Sequence, residues 1–452
     1  MTLIPLPHQN KEAAFLGPKE FAGNFGGMGS GKTLTATEAL KHAGWGPSDR
    51  VVIVVPPIAA PMWVEHCERE LGVKAQWLKT GKTKIDPAAR VFVVTYAIAT
   101  KTVAALKELG PVVVICDEAH ALFKIQLDWR NEVQVSQRTG ALIGHCGLVS
   151  GVPHSWMLTG TPSTRWNDDF FPFLCRADLA GLKERCGGAS FQKFLLRYCV
   201  TQRHQFHPQQ KPKMGVVGNR NTDELNEWII GEGLACRTEL KEAWEAMPDF
   251  TSNTLHVPMK MDAALKQSLV ADFEKLSQRE QDAAVSRNDE SVSKIRRMIG
   301  EAKIKGSAEA IIERVQSGVG SILVGAWHRG VIAGLMKELQ AKKINVAEIH
   351  GSTSAKMKQL AVRRWNAGEL QVVVGQIASM GVSLNMQDGG NHIVCVEQDW
   401  SPDIMDQFYA RLLRMGQKRN VHADIFSGGT KLEEAVARIA GRKSREHKRV
   451  LS

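Results

Sequence analysis

The chain has 452 residues, 43% hydrophobic and 23% charged, enough for two or three domains that each bury a core and too ordinary a composition for a fibrous, collagenous or wholly disordered chain. Its 58 Lys and Arg against 47 Asp and Glu give a net charge of +11, which favours a polyanionic partner such as nucleic acid over an acidic protein surface.

The amino-terminal stretch MTLIPLPHQNKEAAF carries prolines and charges where a secretion signal needs an unbroken apolar run. The longest apolar run, Val51 to Val64, is broken by Pro56, Pro57 and Pro61 and is shorter than the roughly 18 residues of a membrane span. Neither export nor membrane insertion is expected. The eight cysteines contain no C-x-x-C pair, so reduced thiols are expected. Cys175, Cys186 and Cys199 with His204 and His207 match no standard zinc spacing.

Short β-branched runs recur at Val51 to Val55, Val91 to Val94 and Val112 to Ile115, each followed by a helix-compatible or loop segment. This is the pattern of buried parallel strands in an α/β sheet. A second series runs from Ser321 to Val324, Ile344 to Ile349, Val372 to Val374 and His392 to Val396. The fold class is therefore α/β with two lobes, each a parallel sheet flanked by helices.

Lobe 1 is assigned to residues 1–235, with a helical protrusion from about 170, and lobe 2 to 245–440, with a second protrusion at about 262–316. His207 to Lys213 reads as an exposed loop. The absence of Pro between Asp262 and Gln316 predicts helices. The basic segment 441–452 reads as a solvated or phosphate-facing tail.

Residues 26 to 33 read GGMGSGKT, a full match to the phosphate-loop pattern G-x-x-x-x-G-K-S/T. Backbone N–H groups of Gly27, Met28, Gly29, Ser30 and Gly31 can turn around a phosphate, Lys32 brings a cation to the terminal phosphates, and the Thr33 hydroxyl can ligate Mg²⁺. Val112 to Cys116 then runs into Asp117-Glu118-Ala119-His120. An acidic pair at the carboxyl end of a buried strand can set Asp117 on the metal and Glu118 against the attacking water. Arg411 and Arg414, three apart, are predicted to share a helix face from which either can act as an arginine finger.

Together these residues resemble the superfamily 2 nucleic-acid motors, and within them the Snf2 group of DNA translocases, across nearly the whole chain. Pro7-His8-Gln9 looks like the adenine-reading Q motif, GGMGSGKT and DEAH like motifs I and II, and Thr159-Gly160-Thr161-Pro162 like motif III. His350 to Ser354 is similar to the family's HGSTS segment. Trp400-Ser401-Pro402 followed by Gln407, Arg411, Arg414, Gly416 and Gln417 resembles its most diagnostic signature. Phe191 to Cys199, Glu224-Leu225, Arg237 to Lys241 and Arg296 to Ile304 look like the annealing-helicase, or fork-remodelling, branch. There are departures too. Gly26-Gly27 replaces an acidic pair, Ala378 and Ser383 replace a Thr and a Gly of motif V, and Ala410 and Leu413 replace an acid and a His of motif VI.

The resemblance implies an ATP- and Mg²⁺-dependent ATPase that moves along duplex or forked DNA without reading its sequence. It implies catalysis by Glu118, Arg411, Arg414, Lys32 and Gln407, nucleotide contacts from Gln9 and the phosphate loop, and coupling through His120, Thr159, Thr161 and Gly381. DNA contacts would fall at Pro56, Thr95, Tyr96, Trp327, His328, Gly351, Ser352 and Ser379. A monomeric bare motor of bacterial or phage type, working in the cytoplasm, is expected, or a nuclear one in a eukaryote. Two alternatives stay open: a strand-separating superfamily 2 helicase acting on DNA or RNA, and a catalytically weak, ATP-switched DNA-binding protein.

Overall fold

The computed structural model describes residues 3–451 apart from 128–132, 164–165, 205–212, 245–246, 261–270, 288–289, 381–383 and 400. The chain divides into two units, one of Met1–Glu245 with Glu446–Ser452 and one of Ala246–Arg445.

In the first unit, helix α1 (Pro7–Leu16) leads into strand β1 (Phe21–Asn24), the phosphate loop and helix α2 (Lys32–His42). Strands β2 (Val51–Val55), β3 (Ala75–Leu78), β4 (Val91–Thr95) and β5 (Val113–Asp117) follow, with helix α3 (Ala60–Leu71) after β2. After β5 come a short hairpin, β6 (Ile125–Leu127) with β7 (Val133–Val135), and then β8 (His154–Leu158). A second hairpin, β9 (Cys199–His204) with β10 (Lys213–Asn219), precedes β11 (Ala235–Cys236). The main sheet has the order β11-β1-β8-β5-β2-β4-β3 and every pairing in it is parallel.

The sequence of β2, VVIVV, explains the layering. Alternate side chains of a strand point to opposite faces. Val51, Ile53 and Val55 join Leu16 of α1, Leu40 of α2 and Trp63 of α3 on one face, while Val52 and Val54 join Phe25, Phe123, Phe170 and Phe173 on the other. Both faces are covered, so the strand is apolar throughout rather than alternating. The carboxyl ends of β1, β5 and β8 thereby deliver the phosphate loop, the acidic pair and Thr159 to one end of the sheet.

The second unit holds β12 (Phe250–His256), β13 (Ser321–Ala326), β14 (Val346–Ile349), β15 (Val372–Gln376), β16 (Gly390–Cys395) and β17 (Val421–Ser427). Their order is β12-β17-β16-β13-β15-β14, again all parallel. The helices Glu290–Gln316 and Arg329–Ala341 pack Ile311, Val331, Leu335 and Leu339 on Val324, Val374 and Val394.

Lys303 is buried in this unit, and its ammonium donates to the Val396 carbonyl, to the Phe426 carbonyl at 2.9 Å and to Glu433 Oε1 at 2.7 Å. Burial alone raises the Glu433 carboxyl. The Lys303 charge, its hydrogen bond, and those from the Gly428 N–H and Thr430 together hold it below the usual carboxylate range. That stabilisation is present above the ordinary Glu value and is lost on acidification. Lys303→Met is expected to destabilise this unit by about 3–5 kcal/mol, because a buried carboxylate loses its cation. Urea denaturation at pH 7 measures the drop, and the double change with Glu433→Gln should recover part of it.

Two expectations change against the structure. The segment after 170 is helical at Phe171–Ala177, Leu179–Cys186 and Phe191–Tyr198 but then turns into the β9–β10 hairpin, whose short Val, Thr and Gly runs lack a clear alternation. The segment 441–452 is no separate tail, since the helix Lys431–Leu451 runs through it. Within the described part of 262–316 lie the helices Ala271–Lys275, Gln278–Arg287 and Glu290–Gln316. His207 to Pro212 of the exposed-loop reading lie outside the described residues. No helix among the described residues is long and apolar enough to cross a membrane.

Candidate nucleotide site

The phosphate loop begins where β1 ends. Gly29 and Gly31 take left-handed φ values of 81° and 85°, which glycine adopts without steric cost, and Gly31 then caps α2 with Lys32 as its first residue. Lys32 Nζ donates to the carbonyls of Gly26 at 2.8 Å and Gly27 at 3.0 Å. Burial lowers the Lys32 pKa, opposed by the charges of Glu118, Asp117 and Glu12, while Arg237 pushes it further down. A buried cation held on two carbonyls at a helix amino terminus suits a phosphate.

Gly26 departs from the family's acidic pair for a reason visible in its surroundings. A Cβ there would lie 3.0 Å from Asn24 Oδ1, 3.1 Å from Ser30 Oγ and 3.2 Å from Glu12 Oε1. Glu12 of α1 is buried and accepts from Asn24 Nδ2 at 2.9 Å, and Asn24 Oδ1 accepts from the Gly26 N–H at 2.9 Å. A helix-borne carboxylate thus occupies the place beside a loop residue that has none. The sequence reading missed Glu12 and Asn24, and only the spacing of a lone acid on the helix before the loop hinted at them.

Gln9, expected to read adenine, is spent on the protein. Its Nε2 donates to the Ser30 carbonyl at 3.0 Å and its Oε1 accepts from the Leu6 N–H at 2.9 Å, while His8 Nε2 lies 2.9 Å from the same carbonyl. The geometry makes Gln9 a brace for the loop. Gln9→Ala is accordingly expected to raise the KM for ATP and GTP together, about 10-fold for one lost buried hydrogen bond, with the ATP-to-GTP preference unchanged. A selective loss of ATP in steady-state kinetics would instead assign it to the base.

The acidic pair sits at the end of β5. Asp117 Oδ2 accepts from Trp63 Nε1 at 2.8 Å and Oδ1 from the Glu118 N–H at 3.0 Å. Burial, then the neighbouring Glu118 charge, raise the Asp117 pKa to about 6, against the Trp63 bond and Lys32. Glu118 has φ 54° and ψ 47°, a left-handed conformation that costs a non-glycine residue roughly 1–2 kcal/mol. One nitrogen, His120 Nδ1, lies 3.2 Å from Glu118 Oε2 and 3.2 Å from Thr159 Oγ1. Thr159 Oγ1 also accepts from the Thr161 N–H at 3.1 Å. The first unit therefore brings Lys32, Asp117, Glu118, His120, Thr159 and Thr161 together, and two adjacent carboxylates, one of them buried, suit a divalent cation, with Thr33 on the adjacent first turn of α2.

In the second unit Arg411 and Arg414 do not share a helix face, because the helix Pro402–Tyr409 ends before them and they follow in turns. Both still converge on one carbonyl: Arg411 Nη1 donates to Leu384 at 3.1 Å and Arg414 Nη1 approaches it at 3.5 Å. Arg411 Nε donates to the Gln407 carbonyl at 2.9 Å, and Arg414 also donates to Asn385 Oδ1. Burial pushes the Arg414 pKa down to about 10 against the pull of Asp388. Gln417 ties the same loop down, with Nε2 on the carbonyls of Gln387 and Gly390 at 2.9 Å each. Gly381, Ser383 and Trp400 lie outside the described residues.

The DNA-contact residues divide. Gly351 and Ser352 are exposed, and Pro56 and Ser379 are partly exposed, with Ser379 Oγ donating to Gln376 Oε1 at 3.0 Å. Thr95 and Tyr96 are both buried rather than presented to a ligand, and the Tyr96 hydroxyl donates to the Asp117 carbonyl at 2.7 Å, which gives Tyr96 a role in holding the acidic strand. Trp327 and His328 are committed as well. Their N–H groups each donate to Glu397 Oε2 at 2.8 Å, and His328 Nδ1 lies 2.6 Å from Glu397 Oε1.

Residues 305–416 match the family description "Helicase conserved C-terminal domain". Among solved structures, a Dbp5 variant of S. cerevisiae bound to RNA and ADP BeF3 superposes with a TM-score of 0.55 at 10% identity, covering 99% of this chain and 94% of that one, a likeness of fold alone. Two parallel sheets flanked by helices, the first carrying a phosphate loop and an acidic pair, define a tandem RecA-like P-loop ATPase. The chain is 22% identical to "SWI/SNF-related matrix-associated actin-dependent regulator of chromatin subfamily A-like protein 1" of Xenopus tropicalis over 403 residues and of Bos taurus over 411, in each case 87% of this chain. It spans about two fifths, 39%, of those relatives' length. Over most of its length the chain is thus similar to Snf2-type members of the superfamily 2 helicase-type ATPases.

Proposed function

We propose that this ATPase hydrolyses ATP to translocate along duplex or branched DNA, in work such as annealing, fork remodelling or displacing bound proteins. The observation that carries the reading is the convergence of Lys32, Asp117, Glu118, His120 and Thr159 at one end of the first sheet. Lys32 and the loop N–H groups hold the phosphates, and Glu118 orients the water and takes its proton. Thr33 and Asp117 would hold Mg²⁺, which supplies charge neutralisation on the phosphates when bound. His120 sits between Glu118 and Thr159, so a change at the acid is felt at the Thr159-Gly160-Thr161 turn. Arg411 and Arg414, gathered at the Leu384 carbonyl, would supply finger-type charge to the transition state.

The net charge of +11 and the exposed Gly351-Ser352 turn support backbone tracking, which is sequence-tolerant and weakens steeply with salt. ATP turnover measured across nucleic-acid substrates tests the reading. Strand displacement with stimulation by single strands would move it to an unwinding helicase.

The raised Asp117 pKa has a sign that can be checked. An acid whose folded pKa exceeds its unfolded value stabilises the fold below the unfolded value, and that contribution is lost as pH rises through about 6. In metal-free protein, Asp117→Asn is expected to melt higher than wild type at pH 8 and to converge with it toward pH 4. The Mg²⁺ concentration for half-maximal turnover of the wild type should rise as pH falls through the same range.

A further inference from the structure

Arg237 carries a group that the proposed reaction has so far left unused. Strand β11 pairs with β1 in the register Gly23 to Ala235 and Asn24 to Cys236. The pairing continues past both strands, with the Phe25 N–H donating to the Cys236 carbonyl at 2.8 Å and the Gly27 N–H to the Thr238 carbonyl at 2.9 Å. Arg237 is therefore carried beside the start of the phosphate loop, between the two residues whose carbonyls hold that loop in place.

The Arg237 side chain is 13% exposed. Its Nε donates to Glu239 Oε1 at 2.8 Å, and Nη2 bonds the same oxygen, but that carboxylate is on the outside, 51% exposed. The other edge of the fork behaves differently. Nη1 is shut away from solvent and has no hydrogen-bond partner among the described residues. A buried donor on a charged group is costly to leave unmade, and where one persists a missing ligand is a physical reason for it. A planar fork can hold a carboxylate on one edge and a phosphate on the other, which a lysine ammonium does not do with fixed geometry. Arg237 is also within electrostatic reach of Lys32, so two cations face one loop, an arrangement that a polyanion relieves.

We propose that Arg237 is a nucleotide-binding residue, its Nη1–H donating to a phosphate oxygen of a nucleoside polyphosphate on the loop, with Glu239 setting the guanidinium's orientation. The assignment rests on the ATPase reading above.

The test measures equilibrium binding of ATP, ADP and adenosine to the full chain by calorimetry or fluorescence competition, for wild type, Lys32→Ala, Arg237→Gln, Arg237→Lys and Glu239→Gln, with melting temperatures alongside. Arg237→Gln is expected to weaken ATP and ADP by about 10- to 100-fold, the worth of one hydrogen bond to a charged group, and to leave adenosine unchanged. Arg237→Lys should recover part of the loss, and Glu239→Gln, which keeps the guanidinium but not the charge that orients it, should weaken ATP and ADP by less than Arg237→Gln does. Arg237→Gln that binds ATP and ADP like wild type, while Lys32→Ala does not, overturns the Arg237 assignment and leaves the ATPase reading intact. A melting temperature that falls for Arg237→Gln with equal weakening of all three ligands also overturns it, in favour of a structural strut. Wild type that binds no ATP overturns both.

Discussion

Glu118→Gln is expected to lower ATP turnover by about 10²–10⁴-fold, the range of general acid–base contributions, while ATP binding stays close to wild type. The substitution is nearly isosteric, and the left-handed backbone at φ 54° is as tolerable for Gln as for Glu. What is lost is the negative charge beside His120 and the ability to accept a proton. Lys32 itself is unaltered, and its contacts with the Gly26 and Gly27 carbonyls do not involve Glu118. Single-turnover kinetics with a fluorescent ATP analogue separates the two quantities. A fall of less than about 10-fold in the chemical step would move the water-activating role away from Glu118.

Arg411→Ala and Arg414→Ala are each expected to reduce nucleic-acid-stimulated turnover by about 10³–10⁵-fold if they supply finger-type charge stabilisation. Their structural settings separate them in a second measurement. Arg411 is buried with Nε on the Gln407 carbonyl and Nη1 on Leu384, so its removal leaves carbonyls unpaired and should also lower the melting temperature. Arg414 sits on a partly buried turn, where its hydrogen bonds go to Asn385 and, at 3.5 Å, to the Leu384 carbonyl that Arg411 also holds, so its loss should lower the melting temperature less than that of Arg411. Arg414→Lys keeps charge without the fork and should recover little activity. Turnover unaffected by either alanine would leave the second unit without a catalytic role.

The difference between those two arginines could not be read in advance, and the reason is general to this chain. Spacing in the sequence predicts helix faces, but the helix Pro402–Tyr409 stops one turn early, and long-range contacts to Leu384 and Asn385 decide where each guanidinium goes. The strands were legible because β2, β4 and β5 are buried on both faces and so must be apolar throughout. The phosphate loop was legible because its chemistry is contiguous: glycines, a lysine and a hydroxyl in eight residues. Glu12, Asn24 and Arg237 were not, since each serves the loop from a different element, and a single acid or arginine on its own is ordinary surface composition. Thr95 and Tyr96 misled for the converse reason. A hydroxyl-bearing pair after a strand suits a phosphate contact equally well, and only the fold reveals that Tyr96 bonds the Asp117 carbonyl.

The most direct test of the central claim is ATP turnover with no nucleic acid, single-stranded DNA, duplex DNA, forked DNA and RNA, with Lys32→Ala as the blank. Turnover stimulated by duplex or forked DNA, weakened by added salt and abolished by Lys32→Ala is the expected result. No turnover on any substrate would contradict it and leave an ATP-switched DNA-binding protein, and stimulation by single strands or RNA alone would contradict the duplex translocase in favour of an unwinding enzyme.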